Sequence, residues 1–217
     1  MDLPDPAGAL NAHPAAADRL PRRRLLAAGA LALLASRHGA TAAHESAGPV
    51  LPRERPANLR LSLVEGDGSN PGSGKPALLH NLLKGNVTAL QLMFTGCSAT
   101  CPIQGAIFAD AQARLASADK QLRLLSISID PLSDDAPALA RWLARFGAQP
   151  QRWSAAAPAV RDVDPMLDFL RGRAVGADRH TAQAYLFDRQ GRLAFRTVDM
   201  PPGGELVRLM QALAAAA

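Results

Sequence analysis

Two cysteines, Cys97 and Cys101, are the residues of this chain best placed for chemistry. They follow an apolar run over 87–94 that predicts a buried strand, and they precede a predicted helix over 102–118. The positive end of a helix favours a thiolate over a thiol. Because residues four apart face the same side of a helical turn, the two sulfur atoms can converge on one point. The pair therefore predicts either a disulfide or a site for one soft metal ion.

Alternating strands and helices must position this junction. Strands are predicted over 87–94, 122–129, 182–187 and 192–198, and helices over 102–118, 134–146, 157–170 (interrupted or restarted at Pro165) and 204–217. The last two strands form a hairpin whose turn ends at Gly191. This order predicts an α/β fold, a thioredoxin-like three-layer sandwich with a mixed central sheet. Asp134 or Asp135 is expected to cap the helix ending at Phe146, and capping is the role expected for Asp134.

The first residues have the features of an export signal. Arg22, Arg23 and Arg24 precede a short apolar stretch and a run of small residues that ends at Ala43, so the signal is predicted over 1–43. The apolar stretch is shorter than the ~20 residues that cross a bilayer. Two adjacent arginines followed by two leucines at 25–26 also resemble a twin-arginine signal. An ordinary secretory signal and an uncleaved membrane anchor are the alternatives.

The predicted signal sets the organisation and the location of the rest of the chain. Residues 44–58 are predicted to be an extended tether, and residues 59–217 to be one thioredoxin-like domain. We expect a periplasmic or otherwise exported protein that contacts a membrane only through an uncleaved signal. In such a compartment the two thiols are prone to oxidation.

The positive charge gives no argument for a nucleic-acid partner. The chain has a net charge of +5, of which the five arginines and three aspartates of residues 1–43 account for +2. The remaining charges are dispersed along the sequence, and the run of arginines at 22–24 is explained by the signal. We therefore predict no nucleic-acid partner.

The segment over 94–102, Phe-Thr-Gly-Cys-Ser-Ala-Thr-Cys-Pro, resembles the Cys-x-x-x-Cys-Pro loop of the Sco/SenC family of thioredoxin-like copper proteins. The segment over 126–131 is similar to that family's strand ending in Asp-Pro, and Asp134 follows it as the acidic start of a helix. His180 precedes the hairpin at the place of the family's metal-binding histidine. The three landmarks occur in family order and cover about residues 85–195.

The resemblance implies a copper-binding metallochaperone with Cys97, Cys101 and His180 as ligands. Such a protein would deliver copper to a respiratory oxidase or another copper enzyme, with a cytochrome c oxidase subunit as the expected client. Elementary chemistry agrees, because Cu(I) is soft, prefers thiolate and imidazole ligands and accepts low coordination numbers. A structural zinc site usually has four protein ligands, which disfavours zinc. Asp130, at the end of its strand, is expected to lie behind the ligands and tune the site.

A thiol–disulfide oxidoreductase is the alternative function. In that case Cys97 and Cys101 are redox-active, reduce the cysteines of a copper-site client and are themselves restored by a thiol reductant. Thioredoxin-type oxidoreductases usually have two residues between their cysteines, and the three found here favour metal binding; only metal binding requires His180. A purely structural disulfide is disfavoured, because so short a loop restrains little chain entropy. We also expect oxidation to close the pair into a disulfide and to prevent copper uptake.

Overall fold

The computed structural model describes residues 47–66, 74–115, 120–175 and 179–216. The predicted export signal over 1–43 lies outside these residues. The strands are β1 (Gly48–Glu54), β2 (Arg60–Glu65), β3 (Lys75–Leu78), β4 (Val87–Met93), β5 (Leu122–Ser128), β6 (Trp153–Pro158), β7 (Ala184–Phe187) and β8 (Leu193–Arg196). The helices are α1 (Leu79–Leu83), α2 (Thr100–Arg114), α3 (Ala136–Arg145), α4 (Val160–Leu170) and α5 (Gly203–Ala215).

The strands form one mixed sheet in the order β1-β8-β7-β4-β5-β6-β2-β3. The three central strands β4, β5 and β6 are parallel, and the remaining pairs are antiparallel. Parallel neighbours need a crossover connection, which α2 and α3 provide. The predicted α/β class with a mixed central sheet is confirmed.

Helices cover both faces of the sheet, so β4 is buried along its whole length. Successive residues of a strand point to opposite faces, and Ala89 and Leu90 accordingly belong to two different apolar clusters. One cluster includes buried residues of α2, α3 and α5, and the other includes those of α1 and α4. Burying a leucine in either layer contributes about 1.5–3 kcal/mol. These two apolar layers account for the largely apolar run from which β4 was predicted.

Two predictions about the second half of the chain are wrong. The helix predicted to begin at residue 157 begins at Val160, because residues 153–158 form β6 beside β5. A short alanine-rich run does not distinguish strand from helix, and here the pairing with neighbouring strands decides. In addition, α4 continues through Pro165. Its buried face, which includes Val163 and Leu167, holds the helix together where proline removes a hydrogen bond.

The segment predicted to be a tether also differs in the structure. Residues 48–54 form β1, which pairs antiparallel with β8 at the edge of the sheet. Pro49 and Pro52 are compatible with this position, because an edge strand has one side without ladder partners. Residues 44–46 lie outside the described part of the chain. None of the described helices is long and apolar enough to cross a membrane.

The direction of the strands defines two ends of the sheet. Met93 and Ser128 are register partners where β4 and β5 finish, and we call this the carboxyl end. Val87 and Leu122 are partners where these strands start, and we call this the amino end. Because β7 is antiparallel to β4, it starts at the carboxyl end, and the turn that follows it lies at the amino end.

Candidate metal centre

The two cysteines lie at the carboxyl end of the sheet, where the chain passes from β4 into α2. The Cys97 N–H donates to the Phe94 carbonyl at 3.2 Å, which forms a tight turn directly after the strand. Cys101 belongs to the first turn of α2, and its N–H donates to Cys97 Sγ at 3.3 Å. Both side chains are thiols, and both are buried. The start of the helix therefore orients the Cys97 sulfur.

His180 brings an imidazole to the same place from the segment before β7. Its Nε2 lies 3.7 Å from Cys101 Sγ, and its Nδ1 donates to the Thr181 carbonyl at 2.8 Å. A proton on Nδ1 leaves the lone pair of the neutral ring on Nε2, the nitrogen that faces the sulfur. Phe94 packs edge-on against the ring, with centroids 6.2 Å apart. The histidine is thus held in the tautomer and orientation of a metal ligand.

The segment that carries His180 is fixed by the chain before and after it. His180 forms an antiparallel bridge with Arg173, and the Thr181 N–H donates to the Gly172 carbonyl at 2.8 Å. The Thr181 hydroxyl lies 2.6 Å from the Tyr185 hydroxyl, and burial raises the pKa of Tyr185 to about 12. A Cβ at Gly172 would lie 2.9 Å from that hydroxyl, so only glycine fits there without a shift. These contacts fix the backbone on both sides of His180 and so help to position its imidazole.

The capping role predicted for Asp134 is wrong. The helix cap of α3 is Asp135, whose carboxylate accepts from the Ala138 N–H at 2.8 Å. A helix start uses one capping side chain, and Asp135 directly precedes the first helical residue. Two consecutive acids at one helix start exceed what capping needs, and this excess is the sequence signal that could have shown another role for Asp134.

Asp134 instead supports the cysteine loop from the interior. Its carboxylate accepts from the Thr95 N–H at 3.1 Å, from the Thr95 hydroxyl, and from the Ser128 hydroxyl at 2.6 Å. Only 1% of the residue is exposed. Thr95 lies two residues before Cys97, and Ser128 ends β5, so the buried carboxylate joins the cysteine loop to the neighbouring strand. These hydrogen bonds satisfy its buried oxygen atoms, as burial of a polar group requires.

The structure thus brings Cys101 and His180 into contact and places Cys97 one hydrogen bond away. Within the described ranges, no group of three or more histidine, cysteine, aspartate or glutamate side chains is arranged as a ready metal site. Asp130 is connected to this region through its backbone, because its N–H donates to the Ser128 hydroxyl at 2.9 Å. A tuning role for the Asp130 carboxylate stays a prediction.

Comparison with known proteins gives this arrangement a family. The SCO1/SenC family model matches residues 76–207 of the chain. The chain belongs to the SCO1/SenC family. The resemblance in the cysteine loop, the Asp-Pro strand end and the histidine segment is therefore confirmed at the level of the family.

Individual Sco proteins resemble the chain over different lengths. A SCO1 protein homolog of Bacillus subtilis (strain 168) is 31% identical over 80 residues, which are 37% of this chain and 41% of the homolog. The chain thus aligns with less than half of that relative.

Two solved structures share the fold along most of the domain. A SCO1/SenC family lipoprotein from Bacillus anthracis str. Ames is 24% identical, with a TM-score of 0.58 over 74% of this chain and 98% of that one. Yeast Sco1 with copper bound is 18% identical, with a TM-score of 0.60 over 76% and 90% of the two chains. At these identities the likeness establishes the thioredoxin-like Sco fold.

Proposed function

We propose that this Sco protein binds one copper ion outside the cytosol and passes it to a copper enzyme. The observation that carries the proposal is the contact between Cys101 Sγ and His180 Nε2, which lie 3.7 Å apart. The other ring nitrogen, Nδ1, donates a hydrogen bond to the Thr181 carbonyl. Thiolate sulfur and imidazole nitrogen are the donors that Cu(I) prefers. Cys97, from the same loop, is the third proposed ligand. A copper ion held by three ligands keeps room for a ligand from the receiving protein.

Exposed apolar side chains around the site support delivery to a protein client. Ile103 is half exposed two residues after Cys101, and Leu132 is 82% exposed in the turn that leads to Asp134. Val175 is exposed two residues after Arg173, the bridge partner of His180.

Met200 is a fourth exposed apolar residue, and its backbone is tied to the segment that follows His180. It is partly exposed, and its N–H donates to the Ala182 carbonyl at 2.9 Å. We call Ile103, Leu132, Val175 and Met200 the apolar rim. Apolar side chains that gather around one site mark a protein-binding surface more often than scattered ones do.

The client and the location follow from the family. Yeast Sco1 carries copper in its structure, and the Bacillus anthracis relative is a lipoprotein, a class of exported proteins. We therefore propose a periplasmic or otherwise exported location, and a cytochrome c oxidase subunit as the client. The twin-arginine route stays a prediction from residues 22–26, which the structure does not describe.

Copper binding by the reduced protein tests the proposal. We expect one Cu(I) per chain in a competition assay with a chromogenic chelator, and a weaker complex for His180→Ala. Arg60→Ala, an exposed position on β2, is the matched control and should bind copper as the wild type does. Wild-type affinity in His180→Ala would contradict the proposed ligand set.

Thiol–disulfide exchange is the second candidate, because the Cys101 N–H donates to Cys97 Sγ at 3.3 Å at the start of a helix. In this reaction the Cys97 thiolate attacks a client disulfide, and one client sulfur leaves as a thiolate. The Cys101 thiolate then resolves the mixed disulfide, which releases the reduced client and leaves a Cys97–Cys101 disulfide. An external dithiol returns the protein to its starting state.

Copper delivery and thiol–disulfide exchange can be distinguished by a substitution at His180. Reduction of a client disulfide should survive in His180→Ala if exchange is the function, whereas copper transfer should fail. Thiol counting by mass spectrometry on both partners, before and after mixing, gives the result. A client that receives copper but keeps its disulfide would favour delivery alone.

A further inference from the structure

A basic cleft lies at the amino end of the sheet, at the other end from the cysteines. The cleft is a cavity of about 270 Å³ lined by Arg55, His80, Lys84, Arg189, Gln190 and Gly191. Three separate segments form it: the link between β1 and β2, the helix α1 with its last turn, and the turn between β7 and β8. Its cations are therefore brought together by the fold, since the segments are far apart in the sequence.

Backbone hydrogen bonds hold these segments in place. The Arg55 Nε donates to the Gln190 carbonyl at 3.0 Å, which ties the first segment to the turn. The Gly85 N–H donates to the Arg189 carbonyl at 2.8 Å, which ties the turn to the end of α1. The guanidinium of Arg55 is thus oriented before any ligand binds.

The walls of the cleft are equally fixed. His80 Nε2 donates to the Pro56 carbonyl at 2.8 Å, which joins α1 to the first segment. Gly191 has φ +73°, and a Cβ there would lie 3.4 Å from the Leu83 side chain. Glycine therefore allows the turn to adopt this conformation close against the helix.

Two lining residues, Arg55 and Lys84, bring an exposed guanidinium and an exposed ammonium group to the cleft. None of the described lining residues is acidic. Asp188 precedes the turn, but its carboxylate is buried and forms ion pairs with Arg53 at 3.2 Å and with Arg192 at 2.9 Å.

The same two arginines keep the carboxylate of Asp188 ionised. Burial by itself would raise its pKa, but hydrogen bonds from Arg192 and Arg53 together outweigh burial and hold the pKa below its ordinary value. Asp188 is therefore ionised at neutral pH and neutralises arginines outside the cleft. The cleft keeps its positive charge.

We propose that the basic cleft binds a phosphate group. Phosphate carries up to two negative charges and several acceptor oxygens, so it can bind a guanidinium and an ammonium group at once. A single carboxylate or a chloride ion offers less charge to Arg55 and Lys84. The phosphate can be inorganic or can belong to an anionic lipid headgroup. The site is independent of the proposed copper function.

Titration of the full chain with inorganic phosphate tests the first source. Amide chemical shifts of Lys84 and Gly191 should move with phosphate and saturate, but should not move with chloride at equal ionic strength. The double variant Arg55→Gln/Lys84→Gln should bind phosphate about tenfold or more weakly. Arg60→Gln/Arg208→Gln removes the same charge at two exposed positions outside the cleft and should bind as the wild type does.

Co-sedimentation with vesicles tests the second source. If the ligand is a headgroup, the protein should bind phosphatidylglycerol vesicles but not phosphatidylcholine vesicles, and the cleft variant should lose this binding while the control variant keeps it. Saturable phosphate binding without vesicle binding assigns the site to free phosphate. Lys84→Gln alone, at an exposed side chain, gives the same test if the double variant is unstable.

The proposal is overturned if neither ligand binds beyond chloride, or if the cleft and control variants lose binding equally. Cu(I) affinity measured on the same variants should be that of the wild type. Failure of the phosphate site is thereby distinguishable from failure of the copper proposal.

Discussion

The two ends of the sheet carry opposite kinds of chemistry. At the carboxyl end, Cys97, Cys101 and His180 are buried and offer sulfur and nitrogen atoms of the kind that a soft metal ion prefers. At the amino end, Arg55 and Lys84 are exposed basic side chains. A thiol or a neutral imidazole is buried at little cost, whereas an unpaired cation is not. This difference in the cost of burial explains why the candidate metal ligands are buried, whereas the cations of the cleft stay exposed.

A buried carboxylate organises each end, but with different partners. Asp134 is held by the neutral donors Thr95 and Ser128 and supports the cysteine loop. Asp188 is held by Arg53 and Arg192 and leaves a net positive surface. The comparison teaches that the two carboxylates differ in their partners. Neutral hydrogen-bond donors hold Asp134 at the carboxyl end, whereas ion pairs with arginines hold Asp188 beside the turn at the amino end.

The largest expected effect lies at the carboxyl end. Cys97→Ser or Cys101→Ser should lower Cu(I) affinity by more than the roughly 10–100-fold that changes around metal ligands cost, because each removes a proposed ligand. A chelator competition assay under reducing conditions measures this. Full Cu(I) binding by the double serine variant would end the assignment of the site to this end of the sheet.

Asp134→Asn should have the next largest effect. The amide keeps the size of the side chain but cannot accept all three hydrogen bonds, so the cysteine loop should loosen and Cu(I) affinity should fall by about tenfold. Asp188→Asn is the matched control at the amino end and should leave Cu(I) affinity unchanged. An equal loss in both variants would mean that the two carboxylates act only through general stability.

Asp188→Asn should instead reduce the free energy of unfolding at neutral pH, by about 1–3 kcal/mol. The folded pKa of Asp188 lies below the value of 3.8 expected when unfolded, so its stabilisation is present above that pH and is lost as the pH falls through the folded pKa. Urea unfolding between pH 7 and pH 3 measures the difference between variant and wild type. A difference that grows towards pH 3 would contradict the ion-pair account.

The smallest effect is expected at the apolar rim. Ile103→Ser/Leu132→Ser should slow copper transfer to an oxidase fragment several-fold without a change in Cu(I) affinity, because both side chains are exposed and neither is a proposed ligand. Leu51→Ser, which is equally exposed on β1, is the control and should not alter transfer. Stopped-flow spectroscopy of the copper-loaded protein follows the reaction.

The fold and the metal-site candidates could be predicted where a local pattern carried the information. The apolar run before Cys97 predicted β4 because a strand covered on both faces needs apolar residues throughout. The segment over 153–158 has no such pattern, since its alanines suit a strand or a helix, and β6 exists because neighbouring strands pair with it. Asp134 was assigned to a cap because its true partner, Thr95, lies 39 residues away.

By itself the sequence determined the residue types and the order of the elements: two cysteines between a buried strand and a helix, and a histidine before a hairpin. Only the tertiary structure decided which of them meet, because the contact between Cys101 and His180 joins residues 79 positions apart. The same holds for the basic cleft, where Arg55 reaches Gln190 across 135 positions. Along the sequence these cations are dispersed, and the packing of three segments at one end of a sheet concentrates them.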